Sequence, residues 1–291
     1  MIKRGRKTSL REVNYSYLNG KIVPRSEAKI SCFDRGVTHG WAVYEGIRVY
    51  DGGILKLDEH TDRFFDSAKS ACIQMPLTKD EFKKAVIDTV KANGYRDCHI
   101  RPWVSYGEKG DDPNLSIITV ARAKADDMGR EKTAVISAIR RSACDSIDSK
   151  IKTNSRLDLC LAGLDARRSG ADLAIMLDHE GYIAEVSMAN IFVVKRGKVY
   201  TPYTTNALEG VTRDLLMGLL RAEGYQVEEK NLTMKDLYVA DEVFSCGTGE
   251  EINPIILIDG RKIGDGKTGP IVRKAIGLYR KYIKENMEPI Y

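Results

Sequence analysis

Through the first third of the chain, apolar and polar positions alternate in short runs and then settle twice into helical spacing. Tyr17-Leu18-Asn19-Gly20-Lys21-Ile22 sets an Asn-Gly pair between apolar residues, the pattern of a tight hairpin. A second hairpin is predicted from Tyr44 to Tyr50, the turn Asp51-Gly52-Gly53 and Ile54-Leu55-Lys56-Leu57. Asp58 is placed to cap a helix with Phe64, Phe65, Ala68, Ala71 and Cys72 on one side. Thr78-Lys79-Asp80-Glu81 reads as a capping box, followed by Phe82, Ala85, Val86 and Val90 at helical spacing and ended by Gly94. Strands are expected at 98–106 and 115–122.

The polar, charged stretch 123–132 reads as a linker. Beyond it a strand is expected over Thr133 to Ile139, then a helix from Arg156 to Ser169 with Leu157, Leu161 and Leu164 inward and Gly170 as its stop. Strands follow at Leu173–Leu177, Tyr182–Val186, Ile191–Val194 and Lys198–Tyr200. Helices are expected at Thr212–Glu223 and Met234–Val239, strands at Glu242–Cys246 and Pro254–Ile258, and a last helix from about Pro270 to Glu285. Strand-rich stretches with clustered helices predict two α+β units rather than a regular βαβ series. The expected division is a small first domain over 1–122, with a basic tail at 1–12, and a larger second domain over 133–291. No glycine-rich dinucleotide or P-loop pattern follows a strand, which disfavours those enzyme classes.

Composition narrows the classes further. The chain has 291 residues, room for two ordinary domains, and 30% charged against 43% hydrophobic residues suits a globular protein. No apolar run approaches the ~20 residues that a bilayer span needs, and the basic start has no apolar stretch behind it. A net charge of +5, part of it in the tail, is too weak and too dispersed to predict a nucleic-acid face. The six cysteines (32, 72, 98, 144, 160 and 246) form no CxxC pair and no zinc spacing, so no metal is expected. Cys72 and Cys160 fall in helical patterns and read as reduced core thiols. A cytoplasmic protein that binds neither membrane nor nucleic acid is the expectation.

Four polar elements stand out as candidate chemistry. Glu185 lies in an otherwise apolar strand, which requires either a wet face or a partner for its charge. Gly210-Val211-Thr212 opens a helix, where free N–H groups and a positive dipole end can take an anion or simply form a cap. Gly247-Thr248-Gly249 is a second hydroxyl-bearing turn. Arg63 sits one helical turn after His60 and is either a surface residue or an anion ligand. Together these suit a phosphate-bearing cofactor with a basic ring nitrogen, held by N–H groups and an Arg, with a buried Glu at the nitrogen. Such a cofactor also needs a lysine, and composition alone does not choose one; Lys152 is plausible by its position before a helix.

The chain resembles the class IV, or fold type IV, pyridoxal-phosphate enzymes. Those enzymes include branched-chain and D-amino-acid aminotransferases, (R)-amine transaminases and aminodeoxychorismate lyases. The resemblance runs from about Tyr17 to Ala275. It is carried by Asp34-Arg35-Gly36, Tyr44-Glu45-Gly46-Ile47-Arg48-Val49-Tyr50, Leu57 to Arg63 and Ile100-Arg101-Pro102. The second half adds Lys152, Gly181 to Glu185, Asn190-Ile191-Phe192, Ala207 to Arg213, Asp241 to Phe244, Gly247-Thr248 and Glu251-Ile252. The resemblance implies an α+β fold with a small N-terminal domain, a larger C-terminal domain built on a strand-rich pseudo-barrel, pyridoxal 5′-phosphate between them and a homodimer. It makes Lys152 the catalytic Schiff-base residue and Glu185 the partner of the ring nitrogen. Arg63, Val211, Thr212 and Thr248 become the phosphate contacts, and Leu208 packs on the ring.

The first motif and the Ile-Arg-Pro strand look most like branched-chain aminotransferases. The implied activity moves an amino group between a branched-chain or related L-amino acid and a 2-oxo acid such as 2-oxoglutarate. The alternatives are a D-amino-acid or (R)-amine transaminase, or an aminodeoxychorismate lyase. Tyr44, Gly46 and Gly249 are implied substrate contacts. Arg48 and Arg101 are either carboxylate ligands or ion-pair partners, and His39 and His99 are either pocket-wall residues or substrate contacts. Arg156 stands where the branched-chain group has a tyrosine near the cofactor's ring hydroxyl and looks more like the lyases. Glu250 stands where a small residue is usual in the carboxylate-binding turn.

Overall fold

Asn19 and Gly20 take left-handed backbone angles, φ 46° and 91°, and turn Tyr15–Leu18 (β1) onto Lys21–Pro24 (β2) as their pairing predicts. The computed structural model describes residues 15–121 and 128–291, so the basic tail 1–12 and linker residues 123–127 lie outside the described residues. Short elements follow at Arg35–Thr38 (α1), Ala42–Tyr44 (β3), Ile47–Tyr50 (β4) and Gly53–Leu55 (β5). Then come Leu57–Ser70 (α2), Lys79–Asn93 (α3), Cys98–Ser105 (β6) and Leu115–Ala121 (β7). The strand expected from Tyr44 to Tyr50 is thus split at Glu45-Gly46. Its turn is Asp51-Gly52 alone, because Gly53 already pairs with Tyr50.

The α3 capping box forms as expected, with Thr78 and Glu81 each bonding the other's backbone N–H. The α2 start differs from expectation. Lys56, in a left-handed conformation, is the N-cap, and Asp58 lies inside the first turn, where its charge favours the helix dipole. Cys72 falls beyond the last turn of α2 at φ 55° and is exposed, contrary to the expected core thiol.

The remainder comprises Lys132–Ile136 (β8), Leu157–Arg168 (α4), Leu173–Leu177 (β9), Ile183–Val186 (β10), Asn190–Lys195 (β11) and Lys198–Thr201 (β12). Val211–Ala222 (α5), Val227–Glu229 (β13), Met234–Tyr238 (α6), Glu242–Gly247 (β14) and Glu251–Ile258 (β15) continue it. Arg261–Lys262 (β16), Pro270–Glu285 (α7) and Glu288–Pro289 (β17) complete it. Helix α4 buries a different face from the one expected. Leu159, Ala162 and Ala166 are buried with Ala174 and Met176 of β9, while Leu157 and Leu161 are exposed. Two alanines on that face leave room for β9, and the leucines on the other side stay exposed on the single chain. Cys160 is likewise exposed.

The chain divides into two compact units, Met1–Ala125 with Met287–Tyr291, and Asp126–Asn286. The last five residues therefore count with the first unit and not, as expected, with the second. In the first unit, eight strands run in the order β17-β5-β4-β6-β7-β1-β2, with β3 on β6. Alternation sends Val43, Ile47, Val49, Cys98, Ile100 and Val104 to one face, all fully buried. Helices α2 and α3 bring Phe64, Phe82, Val86 and Val90 to the same core.

The second unit holds nine strands in the order β10-β9-β8-β15-β14-β11-β12-β13, with β16 on β15. Its pairs β8–β9, β8–β15 and β12–β13 are parallel and the rest antiparallel, so the curled sheet is mixed, as an α+β fold allows. Phe192 and Phe244 stack across β11 and β14 with ring centroids 4.9 Å apart, and both are fully buried.

Candidate active site

The site-bearing edge of the second unit begins at β10. Strand alternation cannot keep Glu185 dry and charged without a partner, and the structure supplies one that the sequence did not reveal. Glu185 is 5% exposed, and its Oε1 lies 2.8 Å from Nε of Arg141, itself 9% exposed. Arg141 pairs on its other side with Asp158 at the start of α4. Glu185 Oε2 accepts the N–H of Leu208 at 3.3 Å. Burial pushes the Glu185 carboxyl above the usual carboxylate range. Arg141 opposes that most strongly, followed by the Leu208 N–H and the charges of Arg156 and Lys152.

Lys152, Arg156, Glu185 and Leu208 all line one pocket, together with Arg141 and Asp158. Lys152 comes from the irregular segment ahead of α4, and Arg156 is the N-cap residue of that helix. Burial pulls the Arg156 pKa down while Glu185 and Asp158 counter it. The pocket thus gathers a lysine, two arginines and three carboxylates (Asp148, Asp158 and Glu185), with the half-buried Leu208 in the same wall.

A second feature lies where α5 begins. Its N-cap is Gly210, which has no side-chain cap, so the first N–H groups of Val211 and Thr212 stay available to a ligand. Thr212 is therefore the second helical residue rather than a cap. Its Oγ1 lies 3.5 Å from Oγ1 of Thr248, which stands in the turn between β14 and β15. That turn spans Thr248-Gly249-Glu250 and closes on Glu251, a buried residue held at φ 58°, a strained angle for a side-chain-bearing residue. Glu250 is half-buried, and its carbonyl takes the Asn253 amide at 2.7 Å.

The expected substrate residues of the first unit fall mostly on its second sheet face. Tyr44 pairs with Trp103 and Arg48 with His99, so Tyr44, Gly46, Arg48, His99, Arg101 and Trp103 share that face. The Arg101 guanidinium lies 4.2 Å from the Tyr44 ring centroid. A Cβ on Gly46 would stand 3.1 Å from the His99 ring, so any side chain there would require that ring to give by a few tenths of an ångström.

Three residues of that unit depart from their simplest reading. The buried Arg48 donates to Asp97 at 2.6 Å and to the Val49 carbonyl at 3.0 Å, which makes it an ion-pair partner. Arg63 forks the fully buried Glu45 through Nε at 2.6 Å and Nη2 at 2.9 Å, while His60 Nδ1 lies 2.9 Å from Glu45 Oε2. His39 is exposed at the end of α1, with Nδ1 2.7 Å from the Thr38 hydroxyl. Neither Arg141 nor the Glu45 pairing is legible in the sequence, because Arg141 sits in a segment without periodicity and Glu45 lies 18 residues from Arg63.

Among the described residues no helix is long and apolar enough to cross a membrane, and no cluster of metal-ligating side chains forms. Residues 42–258 match the family of amino-transferase class IV. A putative branched-chain-amino-acid aminotransferase of Methanocaldococcus jannaschii is 41% identical, aligned over 89% of this chain and 92% of its own length. A branched-chain-amino-acid aminotransferase of Pseudomonas aeruginosa is 36% identical over 90% of this chain and 91% of its own. The solved branched-chain amino acid aminotransferase of Thermobaculum terrenum, in its PLP-bound holo form, superposes with a TM-score of 0.88 at 30% identity, covering 96% of this chain and 99% of that one. With sequence and fold agreeing over most of its length, the chain belongs to the class IV aminotransferases and is a pyridoxal-phosphate-dependent enzyme of fold type IV.

Proposed function

We propose that the enzyme moves an amino group between a branched-chain or related L-amino acid and a 2-oxo acid such as 2-oxoglutarate, with Lys152 carrying the cofactor. The observation that supports this most is the shared pocket of Lys152 and Glu185 in a chain whose relatives are named branched-chain aminotransferases. The second unit fits pyridoxal phosphate on its own chemistry. A buried carboxylate suits a protonated ring nitrogen, and an uncapped helix start beside two hydroxyls suits a phosphate.

When bound, the cofactor supplies an electron sink for the charge left at the substrate Cα. Lys152 Nζ holds the cofactor and moves the proton between Cα and the cofactor C4′. Glu185 keeps the ring nitrogen protonated, and Arg141 preserves the charge that burial would otherwise remove from Glu185. Leu208 packs on the ring, Arg156 takes the ring hydroxyl, and Val211, Thr212, Thr248 and Arg63 bind the phosphate. Tyr44, Gly46, His99, Arg101 and Gly249 contact the substrate. Arg48 is left out of that set because it is buried and its Nη1 is taken up by Asp97 and by the Val49 and Cys98 carbonyls, whereas Arg63 is kept, with Glu45 orienting its guanidinium.

The enzyme is also proposed to be a cytoplasmic homodimer or higher homo-oligomer. Large apolar side chains exposed on the single chain support it, Phe33 at 73% and Leu157 at 71%, and six cysteines without a disulfide suit a reducing compartment. Light scattering is expected to give the mass of two chains or a multiple of it, and the mass of one chain would end the oligomer proposal.

The activity is tested by the visible spectrum of the cofactor-loaded protein while single donors are added. L-leucine and L-glutamate are each expected to bleach the yellow band. Bleaching only by D-alanine or an (R)-amine would move the enzyme to the stereochemically opposite transaminases. A band indifferent to all four, with pyruvate released from aminodeoxychorismate, would make it a lyase.

A further inference from the structure

We infer that Asn190 is a positioning residue for phosphate binding, acting through the segment Leu208 to Gly210. It rests on the assignment of Val211, Thr212 and Thr248 to the phosphate. Strands β10 and β11 are joined by a tight turn closed by the Val186–Ala189 bridge, so Glu185 and Asn190 flank that turn. Both side chains reach the same residue. Glu185 takes the Leu208 N–H, and Asn190 Nδ2 donates to the Leu208 carbonyl at 2.9 Å. Leu208 is thereby held at both of its backbone polar groups by side chains five positions apart.

The other end of the Asn190 amide fixes the next step of the chain. A Cβ on Gly210 would stand 2.0 Å from Asn190 Oδ1, far inside any real contact, so the amide oxygen fills the space a side chain would need. Asn190 is 7% exposed, and its backbone pairs with Cys246 of β14, so the amide projects from a fixed strand. One carboxamide thus binds the carbonyl two residues before the α5 N-cap and lies against the N-cap itself. With no capping side chain at Gly210, the direction of the Val211 and Thr212 N–H groups depends on backbone placement alone. A shift of that start would also move the Thr212 hydroxyl from the Thr248 hydroxyl. Asn190 acts on the proposed phosphate donors by fixing the segment that leads into them.

The test uses the full-length protein freed of cofactor and titrated by absorbance, once with pyridoxal 5′-phosphate and once with pyridoxal, which lacks the phosphate. Asn190→Ala is expected to weaken pyridoxal phosphate about tenfold, the size of one lost buried hydrogen bond. Its effect on pyridoxal is expected to stay under about twofold on the same scale, because Glu185 still holds the Leu208 N–H and with it the residue against the ring. Gly210→Ala, which pushes the amide aside from the opposite direction, is expected to give the same selective loss, and it decides the matter alone if Asn190→Ala does not fold. Equal weakening of both ligands, or of neither, would assign Asn190 a purely structural role and overturn the inference. Wild-type protein that binds pyridoxal as tightly as pyridoxal phosphate would overturn the phosphate assignment itself, independently of either variant.

Discussion

Lys152→Ala is expected to leave the protein folded and able to take up pyridoxal phosphate, but to lower transamination by at least about 10⁴-fold. Two contributions vanish together, the covalent hold on the cofactor and the proton transfer at Cα, and the second alone is worth about 10²–10⁴-fold. The fold is expected to tolerate the change because Lys152 is half-buried in an irregular segment that lines a pocket. Steady-state rates with L-leucine and 2-oxoglutarate, read beside the cofactor spectrum, measure it. Retention of more than about 1% of the wild-type rate would be too much for a residue with both tasks, and would point to another lysine.

Glu185→Gln is expected to cost about 10²–10³-fold in turnover, the range for removing one well-placed electrostatic group from a dry site, while cofactor affinity changes far less. The amide matches the carboxylate in shape and can still accept the Leu208 N–H, but it carries no charge to keep a proton on the ring nitrogen. Arg141 keeps Asp158 as a partner, so the substitution does not strand a buried cation. Comparison of kcat with the cofactor dissociation constant separates the two effects. An unchanged kcat, or a loss confined to cofactor binding, would remove Glu185 from the chemistry and leave it a structural anchor for Leu208.

What is legible in the sequence divides along physical lines. The α3 boundaries are readable because Thr78, Glu81 and Gly94 each act within one turn of themselves. Helix α4 is readable as a helix but its buried face is not, since apolar area favours the leucines whereas Ala162 and Ala166 are the residues that pack with β9. The short elements α1, β13 and β17 carry too few residues for any period to appear. In the pocket, Lys152, Arg156, Glu185 and Leu208, which the family resemblance singles out, line one cavity. Arg141 is not, because its importance arises only when a loop folds back on β10. Arg48 stays between two roles until the strand register brings Asp97 to it.

The pairing of β17 with β5 orders the events of synthesis. Glu288 lies opposite Ile54 and Pro289 opposite Gly53, so the first sheet gains its edge strand from chain made more than two hundred residues later. While a ribosome is still producing the second unit, Gly53–Leu55 presents an open row of backbone donors and acceptors to whatever is nearby. The nascent first unit is thus exposed to strand pairing with neighbouring chains until residue 289 arrives.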